Sequence, residues 1–348
     1  MKIWTWIGAV VGCFLLAPLK AGNGSLWQVC ADSLHASYAP APMASGCIGI
    51  LPGKEPFRIE QVVLNHVFDA AAPGVVSRVM RGINPFGLKM KVDGETVDTV
   101  RITDWRQGVD MRRAVHHTEF RMGQKVRVAS DLRALRGLPY SGLISVSVEA
   151  LSDVSIEVRC GMEIPGDYGK GTVYYRELDA DGTRLHLVEA EAVSERGAKQ
   201  VAAVSAFFLD DGAMSGLSYE NDTEELCLNV SVKKGEIFSF SLVGSICSSR
   251  DFSDPYNEAE RQVVYAVHEG QERLVRTHER LWDELWQGDI RIEGDDDAQR
   301  LVRFALFNLY ASCRAGSRLS IPPMGLSSQG YNGHIFWDTE LWMYPPML

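Results

Sequence analysis

From Trp27 to about Cys247, apolar and polar positions alternate with a period of two. The pattern is clearest in Leu143-Ile144-Ser145-Val146-Ser147-Val148-Glu149, in Val154-Ser155-Ile156-Glu157-Val158 and in Leu226-Cys227-Leu228-Asn229-Val230-Ser231-Val232. Successive side chains of an extended strand point to opposite faces, so such alternation marks strands with one face in a core. Turn signals punctuate them at Lys233-Lys234-Gly235 and at Asp181-Gly182, a pair that tolerates the positive φ of a tight hairpin. The stretch from Gly166 to Thr172 lacks P-loop spacing and also reads as a turn. Residues 22–252 are therefore expected to form a large antiparallel β-sandwich.

The period changes at Ser253-Asp254-Pro255, where a capping acid followed by proline opens a helix. Val263, Val264 and Val267 share one face, and after Gly270 the spacing resumes with Leu274, Leu281, Trp282 and Leu285. Residues 253–288 are thus expected to be a helical linker in two pieces. A short extended piece, Asp289-Ile290-Arg291-Ile292-Glu293, leads to Asp295-Asp296-Asp297. These acids complement the dipole of a helix start and do not follow calcium-loop spacing. Beyond them Leu301, Val302, Ala305, Leu306 and Leu309 recur at helical spacing, on a helix within the last segment, 289–348.

At the other end, Lys2 precedes an apolar run from Ile3 to Leu19, and Leu19-x-Ala21 supplies a cleavage site. This layout predicts a secretory signal over residues 1–21 and an exported protein, periplasmic or extracellular, with no stable membrane span after cleavage. Val10-Val11-Gly12-Cys13 also resembles a lipoprotein box, but the apolar run continues past Cys13, which leaves anchoring there the lesser alternative. A net charge of -10 and a pI near 5.4 remove the basic footprint that nucleic acid requires. The six cysteines after the signal, at 30, 47, 160, 227, 247 and 313, show neither C-x-x-C nor zinc spacing. They are expected to be mostly buried small hydrophobes. His116-His117, His268 and His278 likewise converge on no carboxylate or cysteine pattern, so neither metal nor cofactor is expected.

Specific chemistry enters with an ordered set of motifs: Trp282-x-x-Leu285-Trp286, Asp289-Ile290-x-Ile292-x-Gly294-Asp295, Gln299 and Arg303, Ser320-Ile321-Pro322, Gly325-Leu326, and Gly330-Tyr331-x-Gly333-His334-x-Phe336-Trp337-Asp338-Thr339-Glu340. Together they resemble glycoside hydrolase family 65, which contains maltose, trehalose and kojibiose phosphorylases and related inverting α-glucosidases. The resemblance implies an N-terminal β-sandwich, a helical linker and an (α/α)6 barrel, of which residues 289–348 would be only the beginning. The close match covers about Leu281 to Leu348. It admits a homodimer, and it implies an α-linked glucose disaccharide or glucoside as substrate.

A sugar offers an apolar ring face and a rim of hydroxyls, so its pocket needs an aromatic platform beside a carboxylate. By resemblance Trp337 and Asp338 supply that pair and bind the non-reducing glucose, with Tyr331 and His334 as weaker candidates for the same pocket. Glu340 invites a reading as catalytic acid. Two positions along a helix, however, side chains diverge by about 200°, whereas inverting hydrolysis needs an acid and a base about 6.5 to 9.5 Å apart around a water. The family's general acid lies well downstream, at a position that would fall beyond Leu348. The chain is therefore expected to be the N-terminal part of a longer enzyme, inactive alone, with unpartnered apolar surface on its barrel helices. Three functions stay open: an exported inverting α-glucoside hydrolase, a disaccharide phosphorylase, and a non-catalytic carbohydrate-binding or structural remnant.

Overall fold

The computed structural model describes residues 26–347, apart from 35–36, 71–73, 181–182 and 210. The expected signal, 1–21, and Cys13 lie outside the described residues. The alternating segments become three antiparallel sheets, giving a mainly β fold with helices added after the last strand. The largest sheet has nine strands in the spatial order Gln28–Ala31, Thr103–Asp110, Val115–Met122, Val126–Ala134, Ser141–Ala150, Ile237–Ser248, Gln200–Phe208, Thr183–Ser194 and Tyr168–Ala180. A five-stranded sheet is built around Val154–Glu163 and Asn84–Val92. A four-stranded sheet runs Met43–Ala44, Ile48–Pro52, Ile59–Asp69 and Arg78–Arg81. Side chains from all three, among them Ile48, Ile50, Phe86, Phe120, Val148, Ile156 and Leu226, form one continuous buried core. Each large apolar side chain so buried contributes about 1.5–3 kcal/mol.

The hairpin read from Asp181-Gly182 is present to the extent that its flanks show it, with Ala180 opposite Thr183. The turn expected over Gly166 to Thr172 is shorter. Lys170, Gly171 and Thr172 pair with Val193, Ala192 and Glu191. Close packing accompanies this pairing, since a Cβ at Gly171 would meet Ile164 Cδ1 at 2.7 Å.

Two helices cover the outer face of the nine-stranded sheet. In the first, α1 (Pro255–Glu269), the side chain of Asp254 accepts from the Asn257 amide at 3.1 Å and Pro255 occupies the first turn. Ala259, Val263 and Ala266 pack on Leu187, Val204, Val243 and Cys247, a second core on that face. The chain breaks at Gly270, with φ of 79°, and continues as α2 (Gln271–Leu285), whose Leu274, His278 and Trp282 are buried.

Asp289 to Glu293 is extended but joins no sheet. The Asp295 carboxylate then accepts from the Asp297 and Ala298 amides and caps α3 (Asp296–Ser312), as the acidic triplet suggests. Of the apolar positions singled out on α3, Leu306 is buried and Val302 and Leu309 are half-buried, while Leu301, 71% exposed, and Ala305 are open. A different stripe holds the helix down. Gln299 bonds the backbone of Ile290 and Ile292, Arg303 takes both carboxylate oxygens of Asp289, and Phe307 stacks on Trp282 with ring centroids 5.3 Å apart. Periodicity assigns Gln299 and Arg303 to the wet side, yet both are buried because each satisfies the preceding extended segment. Of the expected barrel, the described residues contain this one long helix followed by short helical turns, so no ring of helices is seen. No helix among the described residues is long and apolar enough to cross a membrane.

Candidate functional site

After α3 the chain returns over the four-stranded sheet and is held at separate points. Ser312 Oγ accepts from the Leu326 amide at 3.3 Å, and Leu326 and Ile321 are buried. Gln329 Nε2 donates to the Val79 carbonyl at 2.6 Å. The turn Gly330–Gly333 follows, with Tyr331 and Asn332 both at positive φ, 53° and 56°. Gly333 has φ of 71° and lies so close to the strand Arg78–Arg81 that a Cβ would sit 2.6 Å from Val79 Cβ. Glycine is required there on both counts.

The four sequence-predicted sugar residues are distributed unequally around this turn. His334 faces inward: its Nε2 lies 2.8 Å from the Ser77 carbonyl and its ring 5.6 Å from that of Phe68. Trp337 is 79% exposed, and Asp338 is exposed beside it. The Tyr331 ring meets Phe336 edge-on at 5.8 Å. Leu341 and Trp342 are exposed as well. Trp337 and Asp338 are thus neighbours in sequence and both open to solvent. Glu340 is exposed as well.

Thr339, between Asp338 and Glu340, is the pivot. It is fully buried, and its Oγ1 donates to the Ile321 carbonyl at 2.5 Å. Fixing this one side chain inward leaves its neighbours on the outside of the turn. Ser320 Oγ and Tyr344 OH, 3.0 Å apart, add a second tie. Thr339 stands in the family motif but the sequence assigns it no role, and nothing there singles out Gln329. The only hint was a short hydroxyl residue inside an otherwise large or charged run.

A separate groove of about 380 Å3 opens between α3 and the 321–327 turn, lined by Ala305, Asn308, Leu309, Ser312, Met324 and Met343 among others. It is mostly apolar, and neither Trp337 nor Asp338 lines it.

The strongest electrostatics lie elsewhere, in the nine-stranded sheet and the faces packed on it. His117 Nδ1 is 2.7 Å from Asp131, which also accepts from Arg133 at 2.9 Å. Burial opposes a charge on His117, but Asp131 and Glu119 beside it carry it up to about 9. Burial also opposes ionisation of Asp131, yet Arg133 and His117 hold that carboxyl at about 2. His116 and His278, each fully buried, are pushed down to about 3 chiefly by burial. His278 accepts from the Arg136 amide at 3.0 Å. These core groups lie far in the chain from the sugar motif, and His116 Nε2, His117 Nε2 and Arg133 Nε are buried there without a hydrogen-bond partner. Cys47, Cys160, Cys227 and Cys247 are buried free thiols, Cys313 is partly buried and Cys30 exposed. Among the described residues no group of three or more His, Cys, Asp or Glu is placed to hold a metal ion.

Residues 49–285 match the glycosyl hydrolase family 65 N-terminal domain, and residues 303–348 match the family's central catalytic domain. A kojibiose hydrolase of Flavobacterium johnsoniae is 35% identical over 92% of the chain and 48% of its own length. One of Mucilaginibacter mallensis is 34% identical with the same coverage. Among solved structures, one provisionally assigned as a kojibiose phosphorylase from the human microbiome superposes with a TM-score of 0.79 at 14% identity, over 92% of this chain and 46% of that one. The chain spans about half the length of the curated relatives it matches. By both matched domains and by its relatives, this chain belongs to glycosyl hydrolase family 65.

Proposed function

We propose that this chain supplies one wall of the glucose-binding pocket of an exported, inverting α-glucoside hydrolase. Trp337 stacks on the apolar face of the terminal glucose and Asp338 accepts hydrogen bonds from its hydroxyls. Tyr331 borders the same surface, and His334 sets the turn that carries it. The observation that carries this reading is the exposed pair Trp337 and Asp338, directly followed by a buried Thr339 whose inward bond to the Ile321 carbonyl supports their outward position. A large aromatic left 79% exposed next to a carboxylate serves no purpose in the core and suits a sugar.

Hydrolysis is favoured over phosphorolysis within the family by the extent of the relationship. The two kojibiose hydrolases are 35% and 34% identical over 92% of the chain, whereas a maltose phosphorylase of Bacillus subtilis is 24% identical over 79% and a nigerose phosphorylase of Lachnoclostridium phytofermentans 35% identical over only 32%. Export is supported by Lys2, the apolar run Ile3 to Leu19 and the small residue at Ala21. The deciding assay measures glucose release by the complete gene product from kojibiose, maltose and trehalose, with and without phosphate. Phosphate-independent release of glucose, absent from the chain ending at Leu348, is expected. Strict phosphate dependence would replace the hydrolase by a phosphorylase, and no turnover in either condition would leave carbohydrate binding alone.

A further inference from the structure

The strand Arg78–Arg81 lies at the end of the four-stranded sheet and is paired on one side only. Even that pairing is irregular, with a register shift between Val63 and Phe68 of the neighbouring strand. A four-residue edge strand with a broken ladder is weakly fixed by its sheet. Its position nevertheless matters, because its backbone receives the turn that carries the sugar motif. The Ser77 carbonyl faces His334 Nε2 at 2.8 Å, the Val79 carbonyl accepts from Gln329 at 2.6 Å, and the Val79 side chain packs on Gly333.

The other side of this short strand is gripped from the loop that follows Val154–Glu163. Asp167 takes Arg81 through two parallel bonds, Nε to Oδ2 at 2.8 Å and Nη2 to Oδ1 at 2.7 Å, and Arg78 Nη2 reaches the same Oδ1 at 3.0 Å. Next to it, Tyr168 OH donates to the Arg81 carbonyl at 2.5 Å. The Asp167 side chain is only 9% exposed. A two-pronged arginine bond fixes direction as well as distance, and a carboxylate shared by two guanidinium groups on one strand fixes that strand at two points. Asp167 touches nothing in the sugar motif itself.

We propose that Asp167 is a positioning residue for glucoside binding: by gripping Arg81 and Arg78 it sets the strand edge on which Gln329 and His334 rest, and so sets where Trp337 and Asp338 stand. The inference rests on the sugar-binding reading of Trp337 and Asp338. It extends that reading to a residue of the sandwich, some 170 positions upstream in the chain by the difference of their numbers. Displacements of about 1 Å at a binding group cost on the order of 100-fold in effect, so a remote clamp of this kind has a measurable consequence.

The test uses the complete gene product with two readouts: kojibiose binding followed by ligand-observed NMR, and deuterium uptake over residues 326–347 without sugar. Variants are Asp167→Asn, Asp167→Glu, Trp337→Ala and, as a control for loss of a comparable ion pair, Glu157→Gln, whose carboxylate holds Arg159 and Lys91 in the five-stranded sheet. Asp167→Asn is expected to raise uptake in 326–347 while leaving 141–150 unchanged, and to weaken kojibiose binding at least tenfold. Asp167→Glu is expected to recover most of both, and Glu157→Gln to stay within twofold of the unsubstituted protein. Uptake in 326–347 unchanged by Asp167→Asn overturns the inference, as does binding that Asp167→Asn leaves within twofold while Trp337→Ala abolishes it. If the unsubstituted protein binds no kojibiose, or Trp337→Ala has no effect, the sugar reading fails by itself. The exchange readout then still decides whether Asp167 holds the segment.

Discussion

Trp282 and Trp337 are the same side chain in opposite circumstances. Trp282 is 1% exposed, stacked on Phe307 of α3 and with the Arg136 guanidinium 5.8 Å from its ring centre. It joins the linker, the sandwich and α3 into one core. Trp337 is 79% exposed on a segment tied down by single polar contacts, through Gln329, His334, Thr339 and the Ser320 and Tyr344 pair. In the first region apolar area is consumed in making the fold. In the second, polar anchoring spares the aromatic surface, which stays available to a ligand.

The sharpest break of this contrast is to truncate both tryptophans. Trp282→Ala should destabilise by about 3–5 kcal/mol, the usual range for removing a buried aromatic, seen as a fall in the urea midpoint. A loss below about 1 kcal/mol would mean that α3 is not docked through this stack.

The next largest effect follows pH and should be confined to the sandwich and its linker. His117 is raised to about 9, so its contribution is complete below its ordinary pKa near 6.5 and is lost as pH rises through 9. Glu189 is raised to about 7, mainly by burial with Glu260 alongside, and acts in the same direction from about pH 4.5 upward. His116 and His278 act oppositely. Their depressed values near 3 give stability that is present above about 6.5 and lost as pH falls. Two falling groups outweigh one rising group on the acid side, so unfolding free energy should peak near pH 6.5. Each group contributes a slope of at most about 1.4 kcal/mol per pH unit. Denaturant titrations at several pH values check this, and a stability still climbing from pH 7 to 9 would contradict the assignment of a charged His117.

How much of this was legible depends on where each residue finds its partners. The strands at 141–150, 154–163 and 225–232 announce themselves because their polar positions alternate. The strand Gln200–Phe208 does not alternate: its Val201-Ala202-Ala203-Val204 run is buried on both faces, since α1 covers the outer one. On α3 the periodic apolar stripe pointed to Leu301, Val302, Ala305, Leu306 and Leu309, of which Leu306 docks and Leu301 and Ala305 do not, while the docked side also contains Gln299 and Arg303. Pattern reading assumes that polar means wet, and it fails where a buried polar group is satisfied by a neighbouring segment. At the site, Trp337 and Asp338 were located by resemblance of a local motif. Their supports at Val79, Ile321 and Asp167 are contacts across long separations, which no local pattern encodes.

A smaller effect probes the anchors. Thr339→Val keeps the shape of the buried side chain but leaves the Ile321 carbonyl without its 2.5 Å donor. The expected cost is about 1–3 kcal/mol for an unsatisfied buried group. Because the segment is held at separate points, most of that cost should appear as local opening: deuterium uptake rises over 334–344 with little change in the global midpoint. An equal fall in the global transition would show that the terminal segment belongs to the cooperative core, and the contrast between the two regions would then be wrong.

The smallest expected change in stability is also the most informative. Trp337→Ala removes a large aromatic whose ring is mostly in water, so the unfolding free energy should move by no more than about 0.5 kcal/mol, as for surface positions generally. The same substitution removes the platform on which the glucose ring is proposed to stack, and kojibiose binding should be lost. No residue serving the fold gives that combination: Trp282→Ala would lower stability and binding together by unfolding the chain. Asp338→Asn should behave like Trp337→Ala in stability while weakening binding less, because an amide still accepts one hydrogen bond but loses the charge that strengthens it. If Trp337→Ala costs as much stability as Trp282→Ala, its ring is covered in solution, and the exposed aromatic surface is a packing face rather than a sugar platform.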